Sequence, residues 1–141
     1  MKPEPEDVER LDMRYDWVGP ADPISKIRPI RLRRVENESE SELLYREARE
    51  DLNEWNSRFW TEHNQLFERR KREFYANRRK MSGSEEPSAN DLSLFYKDFL
   101  NEQANKFSVY NNEWYRRNLR LIWPAMRVSW VRFRRFLGRP L

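Results

Sequence analysis

An all-α fold, an elongated hairpin of long amphipathic helices with an extended proline-containing N-terminal arm, is predicted by three features of this 141-residue chain. Apolar residues recur at spacings of three and four over two long stretches. A single glycine- and proline-containing break separates those stretches. Glycine is otherwise scarce, at three residues, so turn-dense β folds lack the positions tolerant of positive φ that they need.

The arm spans 1–38. It holds five of the eight prolines (3, 5, 20, 23 and 29) and little periodicity, which reads as an extended strip with no core of its own. Its charge is divided: residues 1–25 carry seven acids and three bases, whereas 26–34 carry five bases and no acid. The opening MKPEPEDVERLD is acidic and lacks an apolar stretch, unlike a transit or secretory leader. A targeting segment is therefore expected to have been removed or never present.

The hairpin domain is expected over 39–137, as a helix over about 39–80, a connector over 81–90 and a helical arm over about 91–137, with a tail at 138–141. Acids and serines at 36–42 suit a helix start, with Ser39 or Ser41 as cap. The stripe that follows is Leu44, Ala48, Leu52, Trp55, Phe59, His63, Leu66 and Phe67. Acids dominate 35–62 and bases 63–80, the order that a single helix dipole favours. Gly83 and Pro87 end that pattern, and Asn90 or Asp91 can cap the return, whose stripe begins Leu92, Phe95, Phe99. Asparagines at 101, 105, 111 and 112 predict a bend near 110–112, and Pro124 a kink. The hairpin seam is predicted to join Trp55 and Phe59 with Phe95 and Phe99.

Composition removes several function classes. Without cysteine there is no disulfide frame, thiolate metal site or cysteine nucleophile, and the single histidine rules out a multi-histidine metal site within one chain. No run of about 18 apolar residues exists to span a bilayer. Six Trp, six Tyr and eight Phe in so polar a chain point instead to contact surfaces.

Three surfaces stand out. At 16–34, Trp17, Gly19, Pro20, Arg28 and Pro29 sit in the extended strip, which reads as a partner-docking arm or as a disordered strip. The run Arg69-Arg70-Lys71-Arg72 reads as a solvated helix C-terminus, with phosphate binding as the alternative. From Tyr115 onward there are eight arginines and no acid. At 100° per residue, Leu119, Ile122, Trp123, Met126, Trp130, Phe133 and Leu137 share one face, and Arg116, Arg120, Arg127 and Arg134 flank it. That is the pattern of an interfacial membrane helix, and Arg116, Arg120, Trp123, Arg127, Trp130 and Phe133 are its candidate membrane contacts. Packing of this face on the first helix is the competing reading.

Several short segments occur together in order: Asp16-Trp17-Val18-Gly19-Pro20, Ile27-Arg28-Pro29-Ile30, Glu36-Asn37-Glu38-Ser39, Glu54-Trp55-Asn56 with Phe59-Trp60, Phe95-Tyr96-Lys97-Asp98-Phe99-Leu100, Tyr110-Asn111 and Trp114-Tyr115-Arg116-Arg117-Asn118. In this order the chain resembles the mitochondrial apoptogenic-protein family, now called cytochrome c oxidase assembly factor 8. The resemblance implies a mitochondrial protein, peripheral on the matrix side of the inner membrane, that supports cytochrome c oxidase biogenesis, particularly under oxidative stress. It brings no catalytic position. His63 has no second ligand or haem-attachment motif beside it, so no cofactor and no metal are expected. The expected function is a non-enzymatic assembly factor for respiratory complex IV, with a cytochrome c oxidase subunit or assembly intermediate and an anionic inner-membrane lipid surface as partners. An RNA-associated or mitochondrial-ribosome accessory protein, using the basic runs, is the alternative.

Overall fold

The computed structural model describes residues 12–83 and 86–138. Residues 1–11 of the arm, two positions of the connector and residues 139–141 of the tail lie outside the described residues. Four elements follow in order: β1 (Trp17–Val18), β2 (Ile30–Arg31), α1 (Glu40–Ser82) and α2 (Ala89–Phe136). The two helices have 43 and 48 residues, lengths of about 65 and 72 Å at 1.5 Å per residue, and they pack as a hairpin.

Each helix starts on a reciprocal cap. Ser39 accepts from the Glu42 N–H while the Glu42 carboxylate accepts from the Ser39 N–H, and Ser88 and Asp91 repeat the arrangement. The second cap is Ser88 rather than Asn90 or Asp91. Asp91 is instead the third helical residue of a Ser-x-x-Asp box, a spacing that satisfies two backbone donors where a lone aspartate cap satisfies one. Gly83 closes α1 at φ 62°, in the left-handed region, with its N–H on the Arg79 carbonyl at 3.2 Å.

The short connector sets an antiparallel register. Arg78 pairs with Asp91, Phe74 stacks on Phe95, Arg70 pairs with Glu102, His63 meets Phe107 and Phe59 stacks on Tyr110. At the far end Arg135 grips Glu42 through two hydrogen bonds of 3.0 Å. The buried residues of α2, Phe99, Gln103, Tyr110 and Val128, lie along this seam.

α2 is helical without interruption through 110–112 and through Pro124. At Tyr110 the reason is tertiary. Its ring is buried against Trp55 and Phe59, and its hydroxyl accepts from Trp60 Nε1 at 3.1 Å and donates to Asn56 Oδ1, so packing outweighs the weak helix preference of Asn111 and Asn112.

The arm folds back onto α1 instead of standing free. Trp17 pairs with Arg31 and Val18 with Ile30 in a two-stranded antiparallel ladder. Between the strands, Asp22 Oδ1 accepts from the N–H groups of Ile24 and Ser25 at 2.9 and 2.7 Å, which makes the turn. No helix among the described residues is long and apolar enough to cross a membrane.

Candidate functional site

One face of α1 holds the arm through side chains that substitute for a third strand. Asn53 donates to the Arg28 carbonyl at 2.9 Å and accepts from the Ile30 N–H at 3.2 Å, and Glu50 accepts from the Leu32 N–H at 3.0 Å. Farther along, Ser57 bonds Ser25, and Asn64 donates to the Ile24 carbonyl at 2.7 Å. Backbone groups that would otherwise need water or a partner chain are thereby satisfied. The arm's first partner is therefore its own helix. The sequence reading missed this, although Asn53, Ser57 and Asn64 recur at helical spacing on one face.

Within the arm, Gly19 is buried beneath Trp17 and against Pro29. A Cβ at Gly19 would lie 2.5 Å from the Trp17 indole and 2.8 Å from the Pro29 ring, so the three residues form one close-packed unit. Pro20 and Arg28 are exposed beside it, and the Arg28 carbonyl is the atom that Asn53 holds.

The four residues predicted for the seam all contact the opposite helix, in two groups. Trp55 and Phe59 stack on Tyr110, at ring-centroid distances of 5.2 and 3.9 Å. Phe95 and Phe99 pack on Phe67 at 5.9 and 5.2 Å. All four thus lie in the seam, with Tyr110 as the cross-helix partner of the first pair and Phe67 of the second. His63 sits between the groups, 4.7 Å from the Phe107 ring and 5.5 Å from the Phe99 ring, and is buried with Nδ1 unpartnered. Burial, and secondarily Lys106, lowers its pKa below the ordinary 6.5, which keeps the imidazole neutral.

At the open end of the hairpin, Glu42 is 3% exposed and fully engaged. The Arg135 guanidinium, aided by the Ser39 N–H and hydroxyl, holds its pKa at about 2 against the ordinary 4.5. Beside it, buried Arg46 makes a fork of 2.9 and 3.1 Å with Glu38.

The outer face of α2 is turned away from the seam. Val128, on the inner side, is 1% exposed, whereas Trp123 and Trp130 are 62% and 61% exposed and Leu119, Ile122, Met126, Phe133 and Leu137 are all exposed with them. Arg127 lies over the Trp123 ring at 5.8 Å, and the rings of Trp130 and Phe133 are 6.0 Å apart. Arg120 is exposed on the flank, while Arg116 is already tied to Glu113 at 2.6 Å. Packing of this face on the first helix, the competing reading of the sequence, is not what the chain does: α1 occupies the opposite side.

Among the described residues no group of three or more His, Asp or Glu is placed to hold a metal ion. In residues 15–134 the chain matches the family model described as cytochrome c oxidase assembly factor 8. It is similar to a mitochondrial family protein of Caenorhabditis briggsae, 61% identical over 131 residues and 92% of each chain. Against human cytochrome c oxidase assembly factor 8 the identity is 36% over 113 residues, covering 74% of this chain and 55% of the human protein. A family protein of Drosophila melanogaster, also named mitochondrial, is 34% identical over 128 residues, covering 91% of this chain and 69% of the relative. No solved structure matches.

Proposed function

This chain belongs to the cytochrome c oxidase assembly factor 8 family, and from that premise we propose that it is a non-enzymatic mitochondrial factor for biogenesis of cytochrome c oxidase and for its protection under oxidative stress. It acts by docking. The hairpin rests peripherally on the anionic matrix side of the inner membrane, and the surfaces left free contact an oxidase subunit or assembly intermediate.

The observation that carries the membrane part of this reading is the outer face of α2: seven exposed apolar side chains opposite a buried seam, flanked by arginines. Each arginine near an anionic surface contributes about 1 kcal/mol before screening, and insertion of Trp123, Trp130 and Phe133 at the head-group boundary adds an apolar contribution. Together they suffice for reversible attachment.

Flotation with cardiolipin-rich vesicles tests the attachment, comparing the intact chain with Trp130→Glu/Phe133→Glu. The intact chain should float and the variant should not; equal behaviour of the two refutes the anchor. For the oxidase role, a null background should lower cytochrome c oxidase content without abolishing it. Normal oxidase with impaired mitochondrial translation would point to RNA association instead.

A further inference from the structure

At the open end of the hairpin a cleft of about 440 Å³ is enclosed by the arm, the start of α1 and the end of α2. Its lining carries five arginines, Arg14 and Arg33 from the arm, Arg46 and Arg49 from α1, and Arg132 from α2, over a floor that includes Tyr15, Tyr45, Leu32 and Val35. Three carboxylates also line it: Glu38 and Glu42 are paired with arginines, and Asp16 keeps one exposed negative charge at the arm side. Both Glu38 oxygens are taken by Arg46. Both Glu42 oxygens are held by Arg135, with Arg132 only at 3.9 Å. Asp16 accepts from the Arg33 N–H. Arg14 is bound by Asp12.

The guanidinium groups of Arg33 and Arg49 therefore have no carboxylate partner among the described residues, and both are exposed. Arg49 lies over the Tyr45 ring at 5.9 Å. With five arginines against three carboxylates the lining keeps an excess of positive charge, which a bound anion would offset. Guanidinium forks arriving from different directions suit a tetrahedral oxyanion, whereas a planar carboxylate is met by one or two forks near its own plane. The aromatic and aliphatic floor suits an organic body attached to that anion, and the volume is within the usual range for small-ligand sites.

We propose that this cleft binds the phosphate group of a small organic phosphate ester, with Arg33, Arg49 and Arg132 holding the phosphate and Tyr15 and Tyr45 contacting the ester's body. The site does not depend on the membrane reading. Arg132 points to the seam side of α2, where it approaches Glu42, whereas Trp130 and Phe133 lie on the outer side.

Calorimetric titration of the full chain tests this with four probes: inorganic phosphate, phenyl phosphate, benzoate and monomeric dihexanoyl phosphatidate. Phenyl phosphate or the phosphatidate should saturate at one site, more tightly than inorganic phosphate or benzoate. The tighter of the two esters distinguishes a soluble source from a lipid head group. Arg33→Gln/Arg49→Gln should weaken binding about ten-fold or more, while Arg69→Gln/Arg72→Gln, which removes two cations outside the cleft, should change it less than about two-fold. Circular dichroism checks that the variants fold, and Arg49→Gln alone gives the same reading should the double variant not fold. Equal loss in both double variants, no saturable binding, or benzoate binding as tightly as phenyl phosphate overturns the proposal.

Discussion

The ring of Phe59 lies on the ring of Tyr110, centroids 3.9 Å apart and planes 14° from parallel. This contact is the midpoint of the seam, and the polar end of Tyr110 is bonded to Trp60 and Asn56 on the same helix as Phe59. Phe59→Ala should cost about 3 kcal/mol, the usual loss for a packed aromatic. Tyr110→Phe keeps the stack but leaves the Trp60 N–H unpaired, and should cost about 1–2 kcal/mol. Denaturant unfolding measures both; a loss below about 0.5 kcal/mol for Phe59→Ala would place its ring outside the core.

Glu42→Gln keeps the side-chain shape and removes the charge that Arg135 grips. Glu42 is buried but the Arg135 side chain is 35% exposed, so the loss should be about 1–3 kcal/mol. The folded pKa of Glu42 is depressed from 4.5 to about 2, so the stabilisation is present above the unfolded value and is lost as pH falls from about 4.5 to about 2. The gap in Tm between parent and variant should therefore be full at pH 6 and shrink below about 4.5. A gap unchanged at low pH would contradict the assignment.

His63 works in a different window. Its folded pKa is lowered, so below the ordinary 6.5 the unfolded chain binds a proton that the folded chain refuses, and stability falls as pH drops through that value. His63→Phe should abolish this part of the pH dependence while leaving the Glu42 part intact. Thermal melts between pH 8 and pH 5 separate the two; an identical slope in the variant would remove His63 as the cause.

Gly19→Ala forces the Trp17 indole and the Pro29 ring apart, since the new methyl would lie under 3 Å from both. Overpacking of this kind costs about 1–3 kcal/mol, and it should fall on the arm alone. Hydrogen exchange at the Ile30 and Leu32 amides, which Asn53 and Glu50 protect, should accelerate while α1 and α2 exchange as before. Faster exchange along the helices would mean that the arm is part of the hairpin's own core.

Helix existence was legible because the pattern is long: periodic aromatics, a Gly83 stop and charges ordered along the dipole all agree. Register was not. It depends on where the connector turns; the second cap was read at Asn90 or Asp91 instead of Ser88, and Tyr110 was not named as the partner of Phe59. The arm's docking was hidden because Asn53, Ser57 and Asn64 recognise backbone, which carries no sequence signal of its own. The outer face of α2 was legible in composition, since tryptophans and arginines share a helix there without acids. What covers its opposite side was a tertiary fact.

The pairing of Glu42 with Arg135 spans 93 positions in sequence, whereas Arg78 meets Asp91 just across the turn. Closing a loop costs more as it lengthens, so the hairpin should zip from Gly83 outward, with the clasp at its mouth formed after the folding barrier has been crossed. Loosening that clasp then speeds unfolding and leaves the folding rate nearly unchanged. The mouth of the hairpin is thus where the molecule's lifetime, more than its speed of formation, is set.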